Sequence, residues 1–127
     1  MHELSLAGGV LRLVEGAAQR EGFARVSRLQ LEAGALSGVE VRALRFGLDA
    51  LLPGTVLEGA EIVIDEPPGT AWCLPCAQSV EIRSRSDACP RCGGYQIQPT
   101  GGTELRVVDL WVHDDPAPAE ASMNQET

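Results

Sequence analysis

Four cysteines stand in two close pairs, Cys73-Leu-Pro-Cys76 and Cys89-Pro-Arg-Cys92, in the arrangement C-x2-C-x12-C-x2-C. Each pair can set two sulfurs on one side of a tight turn, and two such pairs complete the tetrahedron that holds Zn(II). Pro75, Pro90 and the Gly93-Gly94 that follows the second pair suit the abrupt turns this requires. Four thiolates leave no open coordination position, so the zinc would be structural and not catalytic. Two disulfides, or redox-active pairs, are the competing reading. Redox CxxC pairs normally sit singly on a βαβ scaffold, which this sequence lacks.

A second constellation lies at Met1-His2-Glu3. With a free α-amine, the amine, the amide nitrogen of residue 2 and the His2 imidazole can bind one metal through fused chelate rings. Three nitrogens in one plane suit Ni(II) or Cu(II), and Glu3 or another carboxylate could add an oxygen in an expanded geometry. The bulk of His2 disfavours enzymatic removal of Met1, so the amine is expected to be that of Met1. The only other histidine, His113, is read as a solvated residue at the end of the last strand.

These residues need elements to hold them. Apolar positions at Leu6, Val10, Leu13, Val14 and Ala17 have the spacing of one helix face, predicting a helix from Leu4 to about Arg20, ended by Gly22. Residues Arg28 to Ala33 alternate polar and apolar as a half-buried strand does, and Gly34 closes it. Ser37 is expected to cap a second helix over Val39 to Leu52, with Glu40 in its first turn and Pro53-Gly54 as the stop. A strand follows over Glu58 to Asp65, ended by Pro67-Pro68-Gly69, and a last strand over Glu104 to Val112 carries a bulge at Val107-Val108.

The sum is an α+β fold of two helices packed on a roughly three-stranded sheet, with an inserted four-cysteine, zinc-ribbon-like lobe. The α+β domain takes residues 1–69 and 101–113 and the zinc domain residues 70–100. Residues 114–127, rich in Asp, Pro, Ala, Glu, Ser and Gln without periodic apolar positions, read as a disordered tail. Between Thr70 and Thr100 the apolar residues (Trp72, Val80, Ile82, Tyr95, Ile97) are too few to hold a lobe without a metal contribution on the order of 10 kcal/mol.

Composition narrows the function. The 127 residues carry 10 basic and 18 acidic groups, a net charge of −8, which repels nucleic acid and anionic lipid and attracts cations. Arg83, Arg85 and Arg91 make a small basic cluster opposed by Glu81 and Asp87, read as solvated. No leader or membrane span is read in the first residues, and paired cysteines used as ligands suit a reducing compartment, the cytoplasm. An enzyme fits poorly. The cysteine site is coordinatively closed, and neither a Ser/His/Asp nor an HExxH arrangement is present.

Several separated motifs together resemble the HypA family of hydrogenase nickel-incorporation proteins. They are Met1-His2-Glu3-Leu4-Ser5-Leu6, Gly34-Ala35-Leu36-Ser37-Gly38-Val39-Glu40, Gly54-Thr55-Val56-Leu57-Glu58-Gly59-Ala60, the two CxxC pairs and Gly102-Thr103-Glu104-Leu105. The resemblance runs nearly to Val112. It implies a metallochaperone carrying Ni(II) as transient cargo, with structural Zn(II), in the maturation of [NiFe] hydrogenase and, in some members, urease. The partners it implies are a HypB-like GTPase, the hydrogenase large-subunit precursor and urease maturation proteins, with the chain a monomer or weak homodimer. It carries nickel to Met1 and His2, with Glu3 in a supporting role and Glu40 as a further oxygen, and zinc to Cys73, Cys76, Cys89 and Cys92. Some members have a histidine in the zinc lobe that reaches the nickel; here the segment from Thr70 to Thr100 contains none. The alternative is a zinc-ribbon scaffold for protein interaction without nickel transfer.

Overall fold

A computed structural model describes residues 2–113. Met1 and the tail expected from Asp114 onward lie outside the described residues. The described chain divides into two compact units, one made of residues 2–30, 40–63 and 109–113, the other of residues 31–39 and 64–108.

In the first unit, α1 (His2–Glu21) buries Ala7, Val10 and Val14. It ends where expected: Gly22 adopts φ +81°, and its N–H reaches the Ala18 carbonyl at 2.8 Å, the left-handed stop that glycine makes without steric cost. The buried stripe is rotated from the one read in the sequence, since Leu13 is 54% exposed while Ala7 is fully buried. The cause lies in α2 (Val41–Leu51), which buries Leu44, Gly47 and Leu48. A Cβ on Gly47 would stand 3.2 Å from the Ala7 Cβ, so the two helices approach over small residues and the seam passes through Ala7. Val26, Leu29, Leu52, Leu57 and Ile62 are also buried in this unit.

The cap of α2 differs from expectation. Glu40, not Ser37, is the N-cap; its Oε1 accepts the Ala43 N–H at 3.1 Å. Ser37 Oγ instead accepts the Val39 N–H at 3.3 Å. Gly38, at φ +77°, turns the chain between them, so the helix starts two residues later than Val39 and a carboxylate takes the capping role. At the other end the Leu52 N–H still bonds to Leu48 O, and Gly54 takes φ +79°.

Strand β1 (Val26–Ala33) buries Leu29, Leu31 and Ala33 with half-exposed residues between, as the alternation predicted. It is the central strand of a three-stranded sheet in the order β2-β1-β6, with β2 at Glu61–Asp65 and β6 at Leu105–Val112. β2 begins after Glu58 because Gly59 is at φ +78° and Ala60 closes a turn onto the Leu57 carbonyl. Burial along β6 alternates through Leu105 and Val107, then changes phase to Leu110.

The second unit carries a sheet that the sequence did not reveal: β3 (Gly69–Cys73), β4 (Gln78–Ile82) and β5 (Ile97–Gly101), in the order β4-β3-β5, both pairings antiparallel. Its core is Leu36, Ala71, Cys73, Val80, Ile82 and Cys89, with Cys76 and Ile97 packed against it. Half of the cysteines thus serve as core residues, consistent with a lobe too poor in hydrocarbon to stand on burial alone. Among the described residues no helix is long and apolar enough to cross a membrane.

Candidate metal centre

Cys73 is the last residue of β3, paired with Gln78 of β4 and Ile97 of β5, so the central strand of the lobe delivers the first sulfur. The chain then turns sharply. The Ala77 N–H bonds to the Cys73 carbonyl at 2.8 Å, with Ala77 at φ +53°, in the left-handed region. The second pair repeats the turn: the Gly93 N–H bonds to the Cys89 carbonyl at 2.8 Å, and Gly93 takes φ +75°. One knuckle uses glycine at this position and the other an alanine, which costs about 1–2 kcal/mol in that region. The Cys89 N–H bonds to Gly94 O at 2.7 Å, fixing the second knuckle's base.

These turns bring the ligand atoms of Cys73, Cys76, Cys89 and Cys92 to within 4.8 Å of one another, and all four are free thiols. The Cys73 and Cys92 sulfurs are 3.7 Å apart; a tetrahedron with metal–sulfur bonds of about 2.3 Å has edges of about 3.8 Å. The donor set therefore fits a soft tetrahedral ion. Cys73 and Cys89 are buried, Cys76 is half-buried and Cys92 is exposed.

The thiols are not equivalent. The Cys92 backbone N–H on the Cys89 sulfur outweighs burial and, with the Arg91 N–H at 3.4 Å, lowers Cys89 to about 6. Cys76 is pushed up to about 12, first by its hydrogen bond with the Cys73 thiol and then by burial. At Cys73 the Cys76 N–H pulls downward, but burial and the bonds with Cys89 and Cys92 prevail and raise it.

At the other sequence motif, His2 is the first residue of α1 and is exposed. The amides of a helix's first turn have no intrahelical acceptor, so the His2 N–H is not held by the helix ladder. Glu3 is half-buried, and its Oε2 accepts the Glu40 N–H at 3.0 Å. That bond, followed by the bond to its own N–H, holds the Glu3 carboxyl below the usual range. The carboxylate of α1's first turn thus grips the residue whose own carboxylate caps α2. The structure brings Glu3 and Glu40 together across 37 positions of sequence, a link that no local pattern announces. His113 lies just beyond β6, exposed, with its N–H on the Arg25 carbonyl at 3.2 Å.

An α+β scaffold carrying four convergent cysteine sulfurs defines a protein able to hold a metal ion at a site where the four thiolates would leave no open position. Comparison with known proteins gives the family. The sequence matches HypA, described as hydrogenase/urease nickel incorporation, metallochaperone, over residues 1–112, and the chain belongs to this family. It is similar to the hydrogenase maturation factor HypA of Cupriavidus necator, at 63% identity over 90% of this chain and 96% of that protein. A second such factor, from Polaromonas naphthalenivorans, is 59% identical over 91% of this chain and the whole of its own length. The fold matches a solution structure of the Ni metallochaperone HypA from Helicobacter pylori, with TM-score 0.63 at 18% identity, over 87% of this chain and 96% of that one. Members of this family are maturation factors and not enzymes.

Proposed function

We propose that this protein binds Ni(II) at Met1 and His2 and passes it to a nickel enzyme during maturation, while Zn(II) at Cys73, Cys76, Cys89 and Cys92 holds the second unit together. The observation that carries the nickel site is the clamp from Glu3 to Glu40. It fixes the first turn of α1 while leaving the His2 side chain exposed, so the imidazole is free to close a chelate with the α-amine and its own amide nitrogen. Glu3 acts through position, its oxygens occupied by N–H groups. Glu40 Oε1 caps Ala43; its second oxygen is the one available to an expanded nickel geometry. A terminal chelate of this kind has no buried cage, which suits cargo that must leave again.

The receiving partners, on this reading, are the precursor of the [NiFe] hydrogenase large subunit and, for some clients, urease maturation proteins, with a HypB-like GTPase in the same cytoplasmic pathway. The α+β nickel domain would comprise residues 1–69 and 101–113 and the zinc domain residues 70–100.

All ten basic residues of the chain are arginine, so the α-amine of Met1 is its single primary amine, which gives a direct test. Acetic anhydride should acetylate that amine in the zinc-loaded protein, one equivalent of Ni(II) should protect it, and His2→Ala should remove the protection without changing thermal stability. Acetylation at the same rate with and without nickel would rule out the amine as a ligand.

A further inference from the structure

In the second unit, the Arg83–Arg85 segment that follows β4 and the loop of residues 35–38 line a cleft of about 380 Å³. No acidic residue lines it, in a chain whose net charge is −8. We propose that this cleft is a receptor for a carboxylate side chain, a glutamate or aspartate presented by an acidic segment of a protein partner. The proposal is independent of the nickel site and uses none of its residues.

Both walls are fixed before any ligand arrives. Leu36 is buried in the lobe core. The loop around it is tied down through Ala35 N–H to Pro67 O at 2.9 Å, Leu36 N–H to Gly102 O at 2.8 Å and Ser37 N–H to Gly34 O at 2.9 Å. A Cβ on Gly34 would overlap the Gly102 carbonyl, so the base of the loop packs backbone against backbone. On the opposite wall Asp87 Oδ2 accepts the N–H groups of Arg83 at 2.9 Å and Ser84 at 3.2 Å. The turn is closed by the Asp87 N–H on Ser84 O at 3.0 Å. Arg85 ties the walls together through its Nε–H on the Leu36 carbonyl at 3.3 Å. Preorganisation of this kind lowers the ordering cost of binding.

The donors remain available. A guanidinium has five N–H groups, and Arg85 commits one of them to Leu36. Neither Arg83 nor Arg85 forms an ion pair among the described residues. Asp87, the nearest acid in sequence, spends its charge on backbone amides within its own turn. Ser37 Oγ accepts the Val39 N–H, which leaves its O–H free to donate. Two planar forks and a hydroxyl match an oxyanion.

The rest of the lining selects a carboxylate over a phosphate. Ala35 and Leu36 give one wall an apolar surface that suits the methylene stem of an acidic side chain and not a fully hydrated phosphate. With no acidic residue in the lining, the two guanidinium groups attract an anionic side chain at short range.

The probe is a blocked tetraglutamate peptide, added to the metal-loaded full chain labelled with 15N. Saturable amide shifts are expected at Ser37, Gly38, Ser84 and Arg85, weakening with salt, and the tetraglutamine counterpart should give none. The double variant Arg83→Gln/Arg85→Gln should lose at least about tenfold in affinity while its remaining cross-peaks stay in place. Arg83→Lys/Arg85→Lys, which keeps the charge but not the forks, should fall between. Equal binding by the double glutamine variant, or shifts confined to other residues, would overturn the assignment. So would inorganic phosphate occupying the same amides more tightly than the peptide, since the site would then take phosphate.

Discussion

The four thiols differ because the backbone treats them differently. N–H groups of Cys92 and Arg91 converge on Cys89 and lower it to about 6, whereas Cys76, which the Cys73 thiol and burial disfavour as a thiolate, rises to about 12. The two shifts have opposite signs in stability. Depressed below the ordinary 9.0, Cys89 supports the metal-free fold above that value and loses the support as pH falls through about 6. Raised Cys76 supports it below 9.0 and loses the support as pH climbs toward about 12. A divalent ion needs every thiolate. Metal loading at pH 7 should therefore release at least two protons per chain, those of Cys73 and Cys76, counted with an indicator in unbuffered solution. Release of fewer than one would mean that fewer sulfurs bind. At this scale the sequence was informative for the cysteines, because their spacing determines which sulfurs can meet. It was silent on the bond from Glu3 to Glu40, because nothing in either residue's neighbourhood encodes a partner 37 positions away.

At the scale of elements, periodicity located both helices and the strands β1, β2 and β6, and it failed where a single backbone angle decided the outcome. Ser37 has the chemistry of a helix cap, but Gly38 at φ +77° turns it out of reach and Glu40 caps instead. Leu13 fits the apolar face of α1 by spacing, yet the close approach at Gly47 draws Ala7 into the seam and leaves Leu13 exposed. The lobe's strands are five residues each, too short for alternation to stand out among polar and turn residues. The knuckles offer a paired test of the backbone argument. Gly93→Ala should cost about 1 kcal/mol in urea unfolding of the metal-loaded protein, while Ala77→Gly, at the matching position of the other knuckle, should be neutral or stabilising by up to about 1 kcal/mol. Destabilisation by both would indicate that the Ala77 methyl makes a contact that outweighs the strain.

For the whole molecule, two cores imply two modes of failure. The first unit rests on Leu29, Leu44, Leu48 and Leu57, all fully buried, and can stand on hydrocarbon. The second counts two of its four clustered cysteines among its buried residues, so on the proposed reading it depends on the ion they would hold. Removal of the metal by a strong chelator should strip hydrogen-exchange protection from β3, β4 and β5 and leave α1 and α2 protected; uniform loss across both units would show a single cooperative fold instead. The acidic charge and the fold class follow from composition and pattern, but the arginine-lined cleft does not, since it needs Leu36 and Arg85 brought together across 49 positions. The proposed delivery of nickel rests on the terminus, and the decisive measurement is calorimetric titration of Ni(II) into zinc-loaded protein beginning at Met1, beside the same protein with one glycine added before Met1. One nickel should bind the first and none the second at the same site; equal uptake by both would place the ligands elsewhere and contradict the terminal chelate.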